Sequence, residues 1–245
     1  MIETRGLTKS FGSKQVLFGV DFAVKEGETM VVLGRSGCGK SVILKHLIGL
    51  LRPDAGEVLV DGVPIAGLPE RKLSEVRRKI GMLFQSAALF DSMSVEQNLA
   101  FPLREEGIKD EKQITSRVAE ALEMVDLAGE QKKMPADLTG GMRKRVGLAR
   151  TIVGKPRCIL YDEPTTGLDP ITTDSINHLI RRLQRRLGVT SIVVTHDMKT
   201  AFHCADRVIF LHEGRVHFLG TIEELRTSQD MVIQDFIEGR SGDSD

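Results

Sequence analysis

The sequence predicts an α/β fold in which an antiparallel β part comes first and an α-helical subdomain is inserted into a core of buried strands. Three observations support this. Apolar residues alternate strictly over residues 16–24, continuous apolar runs occupy 29–33, 158–161 and 191–195, and a long middle stretch has helical periodicity. Alternation is typical of a half-buried antiparallel strand, and continuous apolar runs are typical of strands covered on both faces.

The first elements are a strand, a second strand, a glycine loop and a helix. The alternating residues, which should share one face of the first strand, are Val16, Phe18, Val20, Phe22 and Val24. Residues 29–33 predict a buried strand, and glycines lead from it into a helix that begins near Ser41. Residues 52–56 then predict a turn, and residues 57–62 a short strand that runs into another turn.

Residues 87–156 are predicted to be almost wholly helical. Ser94 with Gln97, and Asp110 with Gln113, have the three-residue spacing of helix caps. Apolar residues then recur at helical intervals at Ile114, Val118, Ala121, Leu122 and Val125. The helical stretch therefore interrupts the α/β core.

The α/β alternation resumes after residue 156. An amphipathic helix is predicted between the strands at 158–161 and 191–195, with apolar positions Ile176, Leu179, Ile180, Leu183 and Leu187. Residues 207–219 predict a hairpin, and Thr221 with Glu224 predicts a capping box for a final helical stretch. The tail, residues 241–245, is predicted to be frayed.

Composition excludes several classes of function. The 245 residues carry 34 Lys and Arg against 34 Asp and Glu, so no chain-wide field favours nucleic acid or an anionic membrane surface. Three widely spaced cysteines indicate neither a disulfide framework nor a zinc site, and a reducing cytoplasm fits them best. The first residues lack the apolar region of a signal peptide, and no stretch is apolar enough to span a membrane. Work at a membrane would therefore need a partner.

A glycine-rich loop lies between the buried strand and the following helix. Its sequence, Gly34-Arg-Ser-Gly-Cys-Gly-Lys40-Ser41, matches the Walker A pattern. Glycines let successive N–H groups converge on phosphates, and the helix N-terminus adds partial positive charge. Lys40 is expected to reach the β- and γ-phosphates, and the Ser41 hydroxyl to bind Mg²⁺. The alternative is a glycine-rich turn with a solvated lysine.

Two adjacent carboxylates, Asp162 and Glu163, end the strand that begins at Cys158. Mg²⁺ prefers oxygen ligands, so Asp162 suits the metal, while Glu163 is placed to polarise the water that attacks the γ-phosphate. Without a Walker A loop earlier in the chain, such a pair would usually be a solvated strand end.

A second potential phosphate cradle is formed by Leu138, Thr139, Gly140, Gly141 and Met142, where two glycines open a helix beside a hydroxyl. A simple helix-entry turn is the alternative interpretation. This segment resembles the signature motif of the ATP-binding cassette (ABC) family, whose usual form is Leu-Ser-Gly-Gly-Gln. Thr139 keeps the hydroxyl, whereas Met142 replaces the glutamine.

The resemblance to ABC ATPases covers essentially the whole chain and implies a P-loop NTPase core (RecA-like). It implies one nucleotide-binding domain over residues 1–240. The catalytic α/β core would comprise residues 1–86 and 157–228, and residues 87–156 would form the helical signature subdomain. Residues 229–245 would form a C-terminal helix and the tail.

The same resemblance implies roles for individual residues. Phe11 would stack on adenine, with a core aromatic as the alternative, and Gln85 would contact Mg²⁺ and couple to the transport subunit. Asp169 would belong to the D-loop, and His196 would be the switch histidine at the γ-phosphate, although a lone histidine after a strand is more often structural. The implied catalytic residues are thus Glu163, His196 and Gln85, and the implied metal ligands are Ser41, Gln85 and Asp162. The implied ATP-binding residues are Phe11, Gly34, Arg35, Ser36, Gly37, Cys38, Gly39, Lys40, Ser41 and Val42.

Partners follow from the same resemblance. In this family the signature of one protomer covers the ATP held by the Walker A loop of the other, which implies a homodimer with two composite sites. Only 97 positions separate Ser41 from Leu138, too few for the long coiled coil of chromosome-maintenance ATPases. Translation-type ABC proteins usually carry two cassettes, whereas this chain has one. The remaining class is a transporter subunit. It would lie on the cytoplasmic face of the inner membrane and work with an integral membrane permease.

Residues 81–104, the 140–145 signature and the 167–172 segment resemble the ATPase subunits of Mla/Mce-type phospholipid transporters. That resemblance implies a periplasmic Mce-type lipid-binding protein in the complex and a possible small cytoplasmic regulator. The alternatives are a small-solute importer, a lipoprotein-release ATPase, or a nucleotide switch that transports nothing.

Three further features have two interpretations each. Leu89, Phe90 and Met93 would form either a permease-docking surface or subdomain core. Two charge runs fit a solvated helix face better than a nucleic-acid site: Arg181, Arg182, Arg185 and Arg186, which apolar residues interrupt at helical spacing, and Arg143, Lys144 and Arg145. Cys38 fits a small-residue position, with an oxidation-sensitive switch as the alternative.

Overall fold

The computed structural model describes residues 1–240, so the predicted frayed tail lies outside the described residues. The chain divides into two compact units. Among the described residues, the first comprises 1–77 and 190–240, and the second comprises Arg78–Val189. The subdomain boundaries expected at 86/87 and 156/157 stay a prediction.

The secondary structure alternates strands and helices along the chain. The strands are β1 Ile2–Phe11, β2 Lys14–Val24, β3 Thr29–Leu33, β4 Ala55–Val60, β5 Val63–Pro64, β6 Ile80–Leu83, β7 Cys158–Asp162, β8 Thr190–Thr195, β9 Arg207–His212 and β10 Arg215–Gly220. The helices are α1 Lys40–Leu47, α2 Glu70–Arg78, α3 Val95–Glu105, α4 Glu111–Met124, α5 Gly140–Ile152, α6 Pro170–Leu187, α7 Met198–Cys204, α8 Ile222–Arg226 and α9 Met231–Ile237.

The N-terminal antiparallel part is an antiparallel sheet in the first unit with strand order β2-β1-β4-β5. Val20, Phe22 and Val24 are buried on one face of β2, as the alternation predicts. The prediction is wrong at the start of β2, where Leu17 is buried and Val16 and Phe18 are half-buried. The register shifts between the pairs Leu7↔Val20 and Thr8↔Phe18, so one extra residue reverses which face each side chain takes.

The first unit also holds the strands β10-β9-β3-β8, in that order. β3 pairs in parallel with both β8 and β9, and all five of its residues are buried, as predicted for a strand covered on both faces. The predicted hairpin is confirmed as β9 and β10. Phe236 of α9 packs against Phe210 of β9, with 4.9 Å between ring centroids.

The second unit contains the parallel pair β6 and β7 together with helices α3, α4, α5 and α6. The Ser94 capping box is confirmed, since the Ser94 and Gln97 side chains each bond the other's backbone N–H. The prediction that 87–156 is almost wholly helical is wrong over residues 125–139. There the chain forms turns and one short 3₁₀ turn, Pro135–Asp137, before α5 begins.

Within residues 1–240, no helix is both long enough and apolar enough to cross a bilayer.

Candidate active site

The glycine loop after β3 has a geometry that only glycine satisfies at two positions. A Cβ on Gly34 would collide with the Leu211 carbonyl oxygen, and one on Gly39 would lie 2.7 Å from Leu17 Cδ2. Gly39 also has φ +110°, a conformation that L side chains rarely adopt. No side chain therefore covers the backbone at these two positions, which lets its N–H groups approach a phosphate.

Lys40 and the start of α1 face this loop. Lys40 is 6% exposed, and its Nζ donates to the carbonyls of Gly34 at 2.8 Å and Arg35 at 3.1 Å. Gly39 caps α1 without any side-chain hydrogen bond, and the first turn holds no acidic residue. An ammonium and a helix N-terminus with no side-chain cap make this end of α1 suited to an anion.

Other helices of the described chain begin differently. Seven of them start at a side chain that accepts a backbone N–H: Ser94, Asp110, Thr139, Asp169, Asp197, Thr221 and Asp230.

A cavity of about 460 Å³ opens beside the glycine loop in the first unit. Its lining comprises Lys14, Gln15, Val16, Phe18, Gly37, Cys38, Glu213, Gly214 and Arg215. Sequence reasoning assigned only Gly37 and Cys38 of these to the site. Val16 was visible as an apolar strand residue, but no motif connected it to the loop.

Phe11, at the end of β1, is 47% exposed, and the ammonium of Lys9 lies 5.7 Å from its ring centroid. The interpretation of Phe11 as a core aromatic is therefore wrong. Its role in stacking on adenine stays a prediction.

His196 lies at the same edge of its sheet as the glycine loop. It follows β8 directly, and the parallel register pairs Leu33 of β3 with Thr195 of β8. Because both strands end there, Gly34 and His196 leave neighbouring strands at their carboxyl ends. His196 is exposed, and Asp197 beside it caps α7.

The carboxyl ends of β6 and β7 bring three further predicted residues together in the second unit. Leu83 pairs with Tyr161, so Gln85 follows one strand where Asp162 and Glu163 end the other. Asp162 and Glu163 are half-buried. Glu163 has φ +47°, and its Oε2 accepts a hydrogen bond from the Thr166 hydroxyl at 3.2 Å. A non-glycine residue in this conformation is strained, and such strain clusters at functional sites.

The 138–142 segment forms the entry to α5. Thr139 is the N-cap, and its hydroxyl accepts the Met142 N–H at 3.3 Å. Thr139 and Gly140 are exposed, whereas Leu138 is buried. A Cβ on Gly141 would lie 2.7 Å from Thr172 Cγ2, so glycine here lets α5 and α6 approach closely.

Asp169 is engaged as the N-cap of α6. Its Oδ1 accepts from the backbone N–H groups of Ile171 and Thr172, each at 3.0 Å, and its Oδ2 from the Thr172 hydroxyl at 2.6 Å. The Thr172 hydrogen bond lowers the pKa of the Asp169 carboxyl. Its predicted D-loop role therefore has to coexist with a structural one.

The glycine loop between a buried strand and a helix is typical of P-loop nucleoside triphosphatases, and so, taken by itself, is a buried strand that ends in carboxylates. Comparison of this chain with known protein families and structures identifies the family within this class. Residues 17–166 match the family model described as ABC transporter.

Two relatives and one solved structure illustrate the similarity. The "Probable ribonucleotide transport ATP-binding protein mkl" of Mycobacterium leprae (strain TN) is 45% identical over 98% of this chain and 69% of its own length. The "Intermembrane phospholipid transport system ATP-binding protein MlaF" of Haemophilus influenzae is 42% identical over 98% of this chain and 91% of its own length. A structure described as "Dimeric structure of a post-hydrolysis state of the ATP-binding cassette MJ0796 bound to ADP and Pi" has a TM-score of 0.82 at 33% identity, covering 91% of this chain and 99% of that one.

The chain therefore belongs to the ABC transporter family, as an ATP-binding and ATP-hydrolysing subunit.

Proposed function

We propose that this chain powers the transport of phospholipids or related lipids between bacterial membranes, through a separate permease. The observation that carries the proposal is the similarity to the intermembrane phospholipid transport protein MlaF. It extends over 98% of this chain and 91% of that protein, so it includes the helical subdomain as well as the ATPase core.

Within this proposal, the site residues take the roles that their motifs imply. The glycine loop from Gly34 to Val42 and Lys40 hold the phosphates of ATP, Phe11 stacks on adenine, and Glu163 polarises the attacking water. Ser41, Gln85 and Asp162 offer the oxygen ligands that Mg²⁺ prefers. When bound, Mg²⁺ neutralises charge on the phosphates. His196 contacts the γ-phosphate from the end of β8.

The working form in this proposal is a homodimer in which Leu138–Met142 of one copy covers the ATP of the other. Two observations support it: Thr139 and Gly140 are exposed at the N-terminus of α5, and the solved structure of MJ0796 is described as dimeric. A helix N-terminus that carries no acid in its first turn suits the negative charge of a partner's nucleotide.

An aromatic surface on the second unit supports docking of a permease. Phe84, Phe90 and Phe101 are 39%, 41% and 37% exposed, and the rings of Phe90 and Phe101 lie 4.9 Å apart. The interpretation of Phe90 as subdomain core is wrong, because a core ring would be buried. Leu89 and Met93 are half-buried beside it. Clustered exposed aromatic rings are typical of protein interfaces.

The wider assembly in the proposal includes a periplasmic Mce-type lipid-binding protein and a small cytoplasmic regulator. It places the chain peripherally on the cytoplasmic face of the inner membrane, where ATP is available and the permease provides the membrane span.

A small-solute importer is the second candidate function. The observation in its favour is the name of the Mycobacterium leprae relative, which refers to ribonucleotide transport. A lipoprotein-release ATPase and a nucleotide switch that transports nothing are the remaining alternatives.

The deciding experiment is to solubilise the complex in detergent from the source membrane, by a tag on this chain, and to identify its proteins and lipids. Phospholipid together with a multi-span permease and a lipid-binding protein would support the proposal. A permease that co-purifies with a solute-binding protein instead would favour the importer. Brisk ATP hydrolysis by the chain with no membrane partner retained would contradict the transporter role.

A further inference from the structure

Lys144 is a buried lysine within the charge run 143–145. The prediction that this run lies on a solvated helix face is wrong for Lys144, because its side chain packs inside the second unit. Lys144 lies on α5, two residues after the signature segment, and is 5% exposed. Its Nζ donates to the backbone carbonyl of Gln85 and lies 3.4 Å from the backbone carbonyl of Glu163. One side chain therefore bonds the backbones of two residues to which the proposed function gives catalytic roles.

The surroundings of Lys144 are electrostatically specific. Burial lowers the pKa of its ammonium, while the carboxylates of Asp162 and Glu163 oppose that change. A buried ammonium is costly unless it is paired and hydrogen-bonded. Here the backbone carbonyls of Gln85 and Glu163 accept its hydrogen bonds, and the two carboxylates supply negative charge nearby.

The backbone of Glu163 is strained, so hydrogen bonds to its carbonyl help to keep it in this conformation. Glu163 has φ +47°, and its carbonyl oxygen also accepts the Thr166 N–H at 3.3 Å. A residue in this region persists only where the surrounding structure fixes it. Lys144 is one of the groups that do so.

The backbone on the Gln85 side is held by the same face of α5. Ala87 and Ala88 have φ +62° and +46°, and Arg150 donates to their carbonyls at 2.9 and 2.8 Å. Gly147 lies between Lys144 and Arg150 on this face, and a Cβ there would lie 2.8 Å from Leu83 Cδ1. Glycine at 147 thus allows α5 to approach the segment after β6 closely enough for both cations to reach it.

We propose that Lys144 is a positioning residue for ATP hydrolysis, which ties the backbone of Gln85 to that of Glu163 and so fixes the direction of the Glu163 carboxylate. The inference rests on the proposed catalytic role of Glu163. Lys144 touches neither nucleotide nor water in this account. Its effect should therefore fall on turnover rather than on the affinity for ATP.

The test compares Lys144→Met, which keeps the length and apolar stem but removes the donors, with Lys144→Arg, which keeps a cation with several donors. Lys112→Met, on the exposed start of α4, is the matched control. In Lys144→Met we expect kcat to fall about 10- to 100-fold, the effect of misplacing a catalytic group by roughly 1 Å, with KM within about threefold of wild type. Lys144→Arg should recover part of the loss, and Lys112→Met should match wild type.

Hydrogen exchange supplies a readout independent of turnover. In Lys144→Met, amides in residues 84–88 and 163–167 should exchange faster, the Thr166 amide among them, while β3 and α1 keep wild-type protection. If Lys144→Met does not fold, Lys144→Gln provides both measurements. Its amide nitrogen carries two donors but no charge, and it lies one bond nearer the backbone than lysine Nζ, so it holds the two carbonyls less firmly and a fall in kcat of about tenfold is expected.

A wild-type kcat in folded Lys144→Met or Lys144→Gln would overturn the proposal. Unchanged hydrogen exchange in both 84–88 and 163–167 would overturn it as well. A 10- to 100-fold rise in KM with unchanged kcat would also overturn it, because that result would show that Lys144 contributes to ATP binding. Glu163→Gln separates this outcome from a failure of the site assignment. If that variant turned over normally, the catalytic role of Glu163 would fall, while the exchange measurement would still report whether Lys144 ties the two segments.

Discussion

Glu163 is held on both its backbone and its side chain. Its carbonyl accepts the Thr166 N–H at a backbone φ of +47°, and the Thr166 hydroxyl donates to Oε2. An amide at this position can still accept that hydrogen bond through its oxygen, so Glu163→Gln removes the charge with little change of structure.

We expect Glu163→Gln to lower ATP hydrolysis by about 10²- to 10⁴-fold, the usual contribution of a general base, while ATP binding persists. Because the nucleotide is no longer cleaved, the variant should accumulate as an ATP-dependent dimer in size-exclusion chromatography. Glu123→Gln, on the exposed side of α4, is the matched control. Near-normal turnover in Glu163→Gln would refute the assignment.

Phe11 offers a second test at the residue scale, because its ring is exposed and its removal leaves the core intact. Stacking of a base on an aromatic ring contributes about 1–3 kcal/mol, so Phe11→Ala should weaken ATP binding by about 5- to 150-fold. Phe11→Tyr, which keeps a ring, should bind as wild type does. Equal affinity in the alanine variant, measured with a fluorescent ATP analogue, would show that Phe11 does not stack on the base.

At the scale of single elements, α1 carries a buried histidine in its last turn. His46 is 1% exposed, and its Nδ1 lies 2.7 Å from the Val42 carbonyl. Because a carbonyl only accepts, the hydrogen-bond network assigns the proton to Nδ1. Burial lowers the pKa of His46, partly opposed by hydrogen bonds to the Val42 and Arg52 backbone, and Lys9 lowers it further while Asp54 raises it.

A lowered histidine pKa makes the free energy of unfolding depend on pH in a defined direction. The unfolded chain binds the proton more readily, so stability is fully present above the ordinary value of 6.5 and is lost as the pH falls from there towards the lowered folded pKa. Urea unfolding between pH 7.5 and 5 should show this loss in wild type and in His178→Gln, an exposed control. The loss should be smaller in His46→Gln. If the free energy of unfolding had the same dependence on pH in wild type and in His46→Gln, the role of His46 would be contradicted.

Elements with a regular apolar pattern were predictable, and the exceptions have physical causes. β3, β7 and β8 are continuous apolar strands, and β9 and β10 form the expected hairpin. β1 was not predicted, since register shifts at Leu7 and Thr8 break its alternation. α2 was missed because only one of its residues, Leu73, is buried. The local sequence therefore shows neither a regular alternation for β1 nor an apolar stripe for α2.

At the scale of the whole molecule, the aromatic surface of the second unit should matter for assembly and not for hydrolysis. Phe101 belongs to that surface, and Phe202 of α7, 41% exposed, is a matched aromatic elsewhere in the chain. We expect Phe101→Ser to reduce co-purification of the permease at least tenfold, since interface anchors often contribute 2 kcal/mol or more. ATP hydrolysis by the isolated chain should stay at the wild-type level.

Phe202→Ser should leave co-purification of the permease unchanged. If both variants retained the permease, the docking surface would have to lie elsewhere.

The catalytic motifs were predictable because each is contiguous in sequence and has a recognisable chemistry. The residues that support them were not. Lys144 lies 59 positions from Gln85 in the chain, and only the packing of α5 beside β6 brings the two together. Arg150 and Val16 are further examples: each reaches its site through the tertiary fold, and no spacing rule connects it to the motif.

The uncapped start of α1 has a thermodynamic consequence for the protein as a whole. Seven other helices are capped by an accepting side chain, whereas α1 follows Gly39 and has no side-chain cap, so a phosphate bound there adds hydrogen bonds and occupancy should be linked to resistance to heat. At a nucleotide concentration 100 times Kd, linkage adds about 2.7 kcal/mol to the native state. The empty protein should accordingly melt earliest in a thermal-shift series with ATP and ADP, and storage with nucleotide should prolong its shelf life.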